Sequence, residues 1–444
     1  MPFRVLGATE VFVLSFAVAI LLGALALMLP SSTVSGEIHF IDALFTSTSA
    51  VCVTGLTVLD TGSYFTRSGQ VIIMCLIQLG GLGIMTFSVV FVVLAGRRMS
   101  LRDKMILQDA FVPAPLIEAR ALLARLFLST VTIELLGACS LWLFTPDRTL
   151  FPSLFHAVSA FCNAGFGLKP TNFVGYRYDV GVNLTICALI VLGGLGFFTH
   201  IDIARGLAKR LVNSLTVHSR LVLVITAGLI SVGAFGFYVF ESNNALAGSD
   251  LLDILVTSLF QSVTARTAGF NTVDIGHLTN AALFWLILLM FVGASPGSTG
   301  GGIKTTTFGI LISMARSRLR GEQGVSVFRR TVPDETVSKA LFILILSFLL
   351  VTIATLALAV IETGDEPYLR SDIRFIDVMF EVVSAFGTVG LSTGITPRLS
   401  SLGKSVLVLV MFVGRVGPLT IAAVAGRRKK TAKYRYAEES VMVG

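Results

Sequence analysis

Four short stretches decide how this chain reads: SAVCVTGL (Ser49 to Leu56), SAFCNAGF (Ser159 to Phe166), VTARTAGF (Val263 to Phe270) and SAFGTVGL (Ser384 to Leu391). Each is a short apolar run that breaks at a glycine, and each lies between two long apolar segments. The glycines are Gly55, Gly165, Gly269 and Gly390, spaced by 110, 104 and 121 residues. The chain therefore carries four copies of a helix–loop–helix unit, and four backbones suffice to ring one ion on an axis.

The repeat extends past the loops. Gly80-Gly81-Leu82-Gly83 recurs as Gly193-Gly194-Leu195-Gly196 and as Gly414-Arg415-Val416-Gly417, and Gly293 takes the first position in the third copy. From loop glycine to this glycine is 25, 28, 24 and 24 residues, a match that chance rarely supplies. The units span 1–104, 105–212, 213–330 and 331–426, followed by a basic tail over 427–444. Each reads as outer helix, pore helix, glycine loop and inner helix; the second inner helix, for example, is expected over 180–204.

Composition agrees. Of 444 residues 54% are hydrophobic and 14% charged, against about a quarter charged in a soluble domain. With many apolar runs of about 20 residues, this is an all-α polytopic membrane protein and not a soluble enzyme. The run from Val11 to Leu29 has only Arg4 as a positive flank and no small-residue cleavage site, so it reads as a retained helix. Cys52, Cys75, Cys139, Cys162 and Cys187 form no CxxC or Cys/His cluster and read as small apolar residues.

The net charge of +8 gathers after each inner helix: Arg97, Arg98, Arg102 and Lys104; Arg205, Lys209, Arg210 and Arg220; Arg316, Arg318, Arg320, Arg329 and Arg330; and Arg427, Arg428, Lys429, Lys430, Lys433 and Arg435. The positive-inside rule places these clusters and both termini in the cytoplasm and the glycine loops outside. The basic excess is a topology signal first. A cytoplasmic partner or membrane lipid is a second reading, and no nucleic acid is implied.

A pore has a physical use for these loops. A cation leaving water must exchange its hydration shell for other oxygens, because bare desolvation is prohibitive. Backbone carbonyls supply them, and a glycine without Cβ lets four backbones approach and take positive φ. Each short helix before a loop aims its partially negative end at the cavity. Irregular backbone at membrane depth is otherwise tolerated only where it is buried in protein.

The third inner helix cannot run unbroken. FVGASPGSTGGGIKT (Phe291 to Thr305) holds Gly293, Pro296, Gly297, Gly300, Gly301 and Gly302 within ten residues, then Lys304. A flexible polar loop at about 293–305, just below the glycine loop of its unit, reads as a gate. Arg415 stands where the other copies have Gly81, Gly194 and Ala294. A charge inside an apolar helix is a functional candidate: it repels cations and bonds carbonyls of the gate, with a glutamate such as Glu134 as the structural alternative. Arg266 is expected to pair with Glu381.

Chemistry finds little support. The five histidines are scattered; Gly293 to Gly297 matches GxSxG without a preceding strand; Gly297 to Lys304 misses a phosphate loop by Ile303. No enzyme and no nucleotide on this chain are expected. The inner helices are nearly free of carboxylates, which favours channel-like permeation over symport coupled to Na+ or H+.

The motifs VCVTGL, FCNAGF, RTAGF and GTVGL resemble those of the Trk/Ktr/HKT superfamily of potassium transporters over nearly the whole chain, and the tail from Tyr434 to Gly444 is most similar to the Ktr-type membrane subunit. The resemblance implies four M1–pore-helix–M2 repeats with pseudo-fourfold symmetry around one central pore, in a homodimer with a pore in each chain. It implies K+ at carbonyls of Val53, Thr54 and Gly55; Asn163, Ala164 and Gly165; Thr267, Ala268 and Gly269; and Thr388, Val389 and Gly390. Gly55 implies potassium preference, since some sodium-preferring plant relatives carry serine there. It further implies K+ uptake across the cell membrane, controlled by the intramembrane loop, by Arg415 as a second constriction and by a separate cytoplasmic nucleotide-binding regulatory ring. That ring would sit on the loops at 97–104, 205–220 and 316–333. Na+ enters as a regulator, or as the coupled ion of a less selective Na+/K+ symporter of the same fold. Only the fourth loop keeps TVG and none has GYG, so discrimination is expected to be looser than in channels that read TVGYG four times.

Overall fold

The computed structural model describes residues 8–94, 116–208, 215–364, 367, 371–418 and 420. The basic loop at 97–104, the tail at 427–444 and both termini lie outside the described residues. Four units follow one another. The first has outer helix Ala8–Leu27, pore helix Phe40–Val51 and inner helix Arg67–Leu94; the second has Leu116–Phe144, Leu150–Phe161 and Val180–Leu195, continued by Phe197–Ala208. The third has Val217–Glu241, Leu251–Thr264 and an inner helix in two pieces, Asn280–Phe291 and Thr305–Leu319; the fourth has Asp334–Thr363, Phe375–Gly387 and Ser401–Val416.

The outer helices are the long apolar ones. Windows at Glu10–Leu27, Ala124–Phe144, Val217–Glu241 and Asp334–Thr363 are each long and apolar enough to cross a membrane. Leu22, Leu128, Phe235 and Leu356 on their outward faces are more than half exposed, which suits hydrocarbon as the solvent. Small residues let the pore helices approach them. Ser47 Oγ donates to Ile20 O and Ser262 Oγ to Ile230 O, both at 2.7 Å, with Gly23 and Gly233 facing those serines.

The second and third inner helices are interrupted. The second bends by 98° after Leu195 and does not run straight through 180–204 as the sequence implied. Gly196 takes φ of 84° there, and the next amide, Phe197 N, donates to Gly297 O at 3.0 Å. The broken segment of the third unit thus captures the bend. The matching Gly83 makes no such turn, and the first inner helix runs on to Leu94. Between the third and fourth units lies a small hairpin, Ser326–Val327 against Arg330–Thr331.

The pore helices form the centre. Each carries one fully buried phenylalanine at the same repeat position: Phe45, Phe155, Phe260 and Phe380. Counting from these, the hydroxyl residue four positions on is Ser49, Ser159, Thr264 and Ser384. The third unit is therefore one residue shorter before its glycine than the eight-residue match starting at Val263 indicates.

Candidate ion pathway

Each glycine loop has the same backbone. Val53, Asn163, Thr267 and Thr388 have φ of 57°, 59°, 70° and 49°, and Gly55, Gly165, Gly269 and Gly390 have 93°, 71°, 78° and 93°. The residue between them, Thr54, Ala164, Ala268 or Val389, is not left-handed. Reversing the sign of φ at successive residues turns successive peptides so that like groups face one side. A left-handed L-residue costs about 1–2 kcal/mol, and such strain persists only where the surroundings over-determine it.

The four loops close on one another in order. A Cβ on Gly165 would stand 2.7 Å from Ala268 O and 3.0 Å from Gly269 Cα. One on Gly55 would meet Ala164 O and Gly165 Cα; one on Gly269, Val389 O and Gly390 Cα; one on Gly390, Thr54 O and Gly55 Cα. The sequence runs 55, 165, 269, 390 and back to 55, so the twelve loop residues surround one axis. No side chain larger than hydrogen fits at any of the four glycines without displacing a neighbour's backbone.

Hydroxyls at the ends of the pore helices hold the loops. Ser49 Oγ accepts from Gly55 N and Ser384 Oγ from Gly390 N, both at 3.0 Å. Ser159 Oγ donates to Phe166 O at 2.9 Å and Thr264 Oγ1 to Phe270 O at 2.6 Å. These four residues carry geometry that the sequence reading quoted without assigning. Their signal is a hydroxyl four residues after a phenylalanine.

Beneath the ring, three inner-helix glycines touch the ends of their own pore helices: Gly80 against Val51 O, Gly193 against Phe161 O and Gly414 against Phe386 O. The third unit departs. Gly293 faces Gly301 O, because the broken segment folds back into the space. Gly293 N donates to Ile303 O at 2.9 Å, Ser295 N to Gly194 O at 3.1 Å and Gly301 N to Thr388 Oγ1 at 3.0 Å. Thr299 Oγ1 donates to Phe161 O at 3.2 Å, and Gly300 is pressed against Thr267. Gly302 lies against Gly293 and Gly387, whereas Pro296 and Gly297 lie to the side at the Gly196 bend.

Two cations hold this segment. Lys304 Nζ donates to Gly300 O at 2.7 Å, and Arg415 donates to Thr299 O and to Gly80 O. Arg415 is 3% exposed and makes no ion pair with Glu134, which instead accepts from Gln78 at 3.1 Å. The expected Arg266–Glu381 pair is corrected. Arg266 donates to Thr226 O and Oγ1, both at 3.5 Å, while Glu381 accepts from Ser392 and Thr396. Opposite signs one unit apart in sequence do not fix which way two side chains face.

The family profile described as TrkH, cation transport protein, matches residues 3–433. The chain belongs to the TrkH cation transport protein family. It is 38% identical over 442 residues to the Ktr system potassium uptake protein B of Bacillus subtilis, covering 98% of this chain and 96% of that protein. It is likewise 38% identical to the potassium/sodium uptake protein NtpJ of Enterococcus hirae, with 99% and 98% covered. The potassium transporter TrkH from Vibrio parahaemolyticus has a similar fold, with a TM-score of 0.73 at 20% identity over 96% of this chain and 86% of that one. Membership of the TrkH family makes the chain a multi-pass membrane transporter of cations and not an enzyme.

Proposed function

We propose that the chain takes up K+ across the cell membrane through the ring at Gly55, Gly165, Gly269 and Gly390. The observation that supports this reading is the alternation of backbone handedness in all four loops; the carbonyls of Val53, Thr54, Asn163, Ala164, Thr267, Ala268, Thr388 and Val389, with those of the glycines, are the oxygens that would ring the ion. Membrane voltage supplies the drive, about 2.3 kcal/mol per 100 mV, which accumulates K+ about 50-fold. The segment from Gly293 to Lys304 closes the path below, and Arg415 pins it while adding an uncompensated positive charge.

The two relatives named as Ktr uptake protein B and NtpJ support the ion and frame the alternatives. A Ktr system implies a separate regulatory component, here a cytoplasmic nucleotide-binding ring, with two transport chains per assembly and both termini on its side. The loop at 316–333 offers it a basic face. Because NtpJ is named for both ions, a less selective Na+/K+ carrier, or Na+ as a regulator, is the second reading. The test is K+ uptake in a bacterium lacking its own systems, with Gly269→Ser beside the parent chain. Restored growth at low K+, lost or made Na+-sensitive by Gly269→Ser, supports the filter. Parent and variant behaving alike rejects it.

A further inference from the structure

Behind the four loops lies a second repeat. Directly after each buried phenylalanine, and three residues before each bracing hydroxyl, the pore helices carry Thr46, His156, Gln261 and Glu381. They are 2%, 9%, 0% and 0% exposed. Three of the four reach across their own loop to the chain beyond the glycine. His156 Nε2 accepts from the amide of Leu168 at 3.1 Å. Gln261 Nε2 donates to Thr272 Oγ1 at 3.2 Å. Glu381 Oε1 accepts from the hydroxyls of Ser392 and Thr396. In the first unit Thr46 is too short to cross, and its hydroxyl has no partner among the described residues.

An imidazole, an amide and a carboxyl share one position and make one kind of contact. Packing alone gives no reason for it, since burying a polar group is costly unless a partner is met. The contact has a mechanical consequence. The hydroxyls of Ser49 and Ser384 hold the glycine amide from the helix side, whereas His156, Gln261 and Glu381 hold the strand as it leaves the ring. A left-handed loop secured on both flanks resists closing around a smaller ion. We propose that His156, Gln261 and Glu381 are positioning residues that set discrimination between K+ and Na+ by strapping their loops at a fixed width, and that the unstrapped first loop is the compliant quarter of the ring. This rests on the carbonyl-filter reading above.

The test measures reversal potentials of the full-length protein in mixed KCl and NaCl. Thr272→Val and the pair Ser392→Ala with Thr396→Val remove the partner on the loop side by one or a few atoms, which keeps the inference testable where Gln261→Leu or Glu381→Leu fails to reach the membrane. Each is expected to lower the K+/Na+ permeability ratio about three- to tenfold, the effect of losing one buried hydrogen bond. His156→Leu lowers it, and His156→Gln, which still offers an acceptor to Leu168 N, restores it. Thr46→Ala leaves the ratio where it was. An unchanged ratio in Thr272→Val and the Ser392/Thr396 pair overturns the inference, as does an equal loss in Thr46→Ala. Gly269→Ser separates the two readings. If it alters the ratio and the strap variants do not, the straps fail and the filter stands; if it too has no effect, both fail.

Discussion

Lys404 Nζ lies 2.7 Å from Asp42 Oδ1, so the last inner helix grips the first pore helix across 362 residues of chain. The same arrangement recurs elsewhere in the ring. Arg177, just before the second inner helix, binds Asp253 of the third pore helix at 2.9 Å, and the Arg67 guanidinium sits 3.4 Å from the ring centre of Phe151 in the second. A cation at the start of one inner helix thus meets the first turn of the next pore helix, and its charge suits neither end of a membrane span so much as the partner it finds. Lys404 and Asp42 close the circle that the covalent chain leaves open.

Both partners of that pair are 13% exposed, so removing one strands the other. Asp42→Asn or Lys404→Met is expected to cost about 1–3 kcal/mol. Thermal melting of the purified protein measures it, and a double-mutant cycle should return a coupling of about 1 kcal/mol or more. A coupling near zero would show that this pair does not hold the first and last units together.

At the loops, Gly165→Ala places a methyl 2.7 Å from Ala268 O on a backbone with φ of 71°. The strain of about 1–2 kcal/mol falls on the geometry of the carbonyls, so K+ uptake should drop about tenfold with the protein still reaching the membrane. Gly248 is the control. It also has positive φ but stands in open space, and Gly248→Ala should leave uptake intact.

Much of this was legible in sequence because it is written in exceptional residues. The four glycines, the broken run from Gly293 to Gly302 and a lone Arg415 each violate a helix rule, and each marks a place where the backbone meets itself or a carbonyl. What stayed hidden obeys ordinary rules until the third dimension is known. Val53 is β-branched, and nothing in its type announces a left-handed backbone. Gly83 and Gly196 are the same residue at the same repeat position, but only Gly196 has Gly297 O waiting to capture the next amide. Arg266 and Glu381 are complementary in charge and face different neighbours. The one-residue deletion in the third unit is visible only when Phe260 is aligned with its three counterparts.

For the proposed gate, Arg415→Ala removes the donors to Thr299 O and Gly80 O together with a buried charge beneath the glycine loops. Loss of about 1–2 kcal/mol of barrier raises K+ flux about 5- to 30-fold. Arg415→Lys keeps the charge but presents one ammonium where a planar fork spans two carbonyls, so its flux should lie between the two. Gly301→Ala drives a methyl toward the Thr388 side chain and should displace the segment in the same direction. Rates at matched surface expression decide it, and a lower flux in Arg415→Ala would assign the residue to support of the fold.

The hairpin between the third and fourth units has a strained tip. Its two central residues, Phe328 and Arg329, have φ of 48° and 62°, the pattern of a type I′ turn that normally takes Asn-Gly. Neither side chain favours that backbone, and both are exposed together with Arg330. Replacing Phe328 by Asn and Arg329 by Gly should relieve about 1–3 kcal/mol of strain. The gain is read as slower hydrogen exchange at the Val332 amide, which donates to Val325 O at 2.8 Å. If the exposed aromatic and basic tip docks the regulatory partner proposed above, the stabilised variant should bind that partner more weakly while the chain alone takes up K+ at the parent rate. Tighter binding by the variant would mean that the turn's shape, and not its side chains, is what the partner reads.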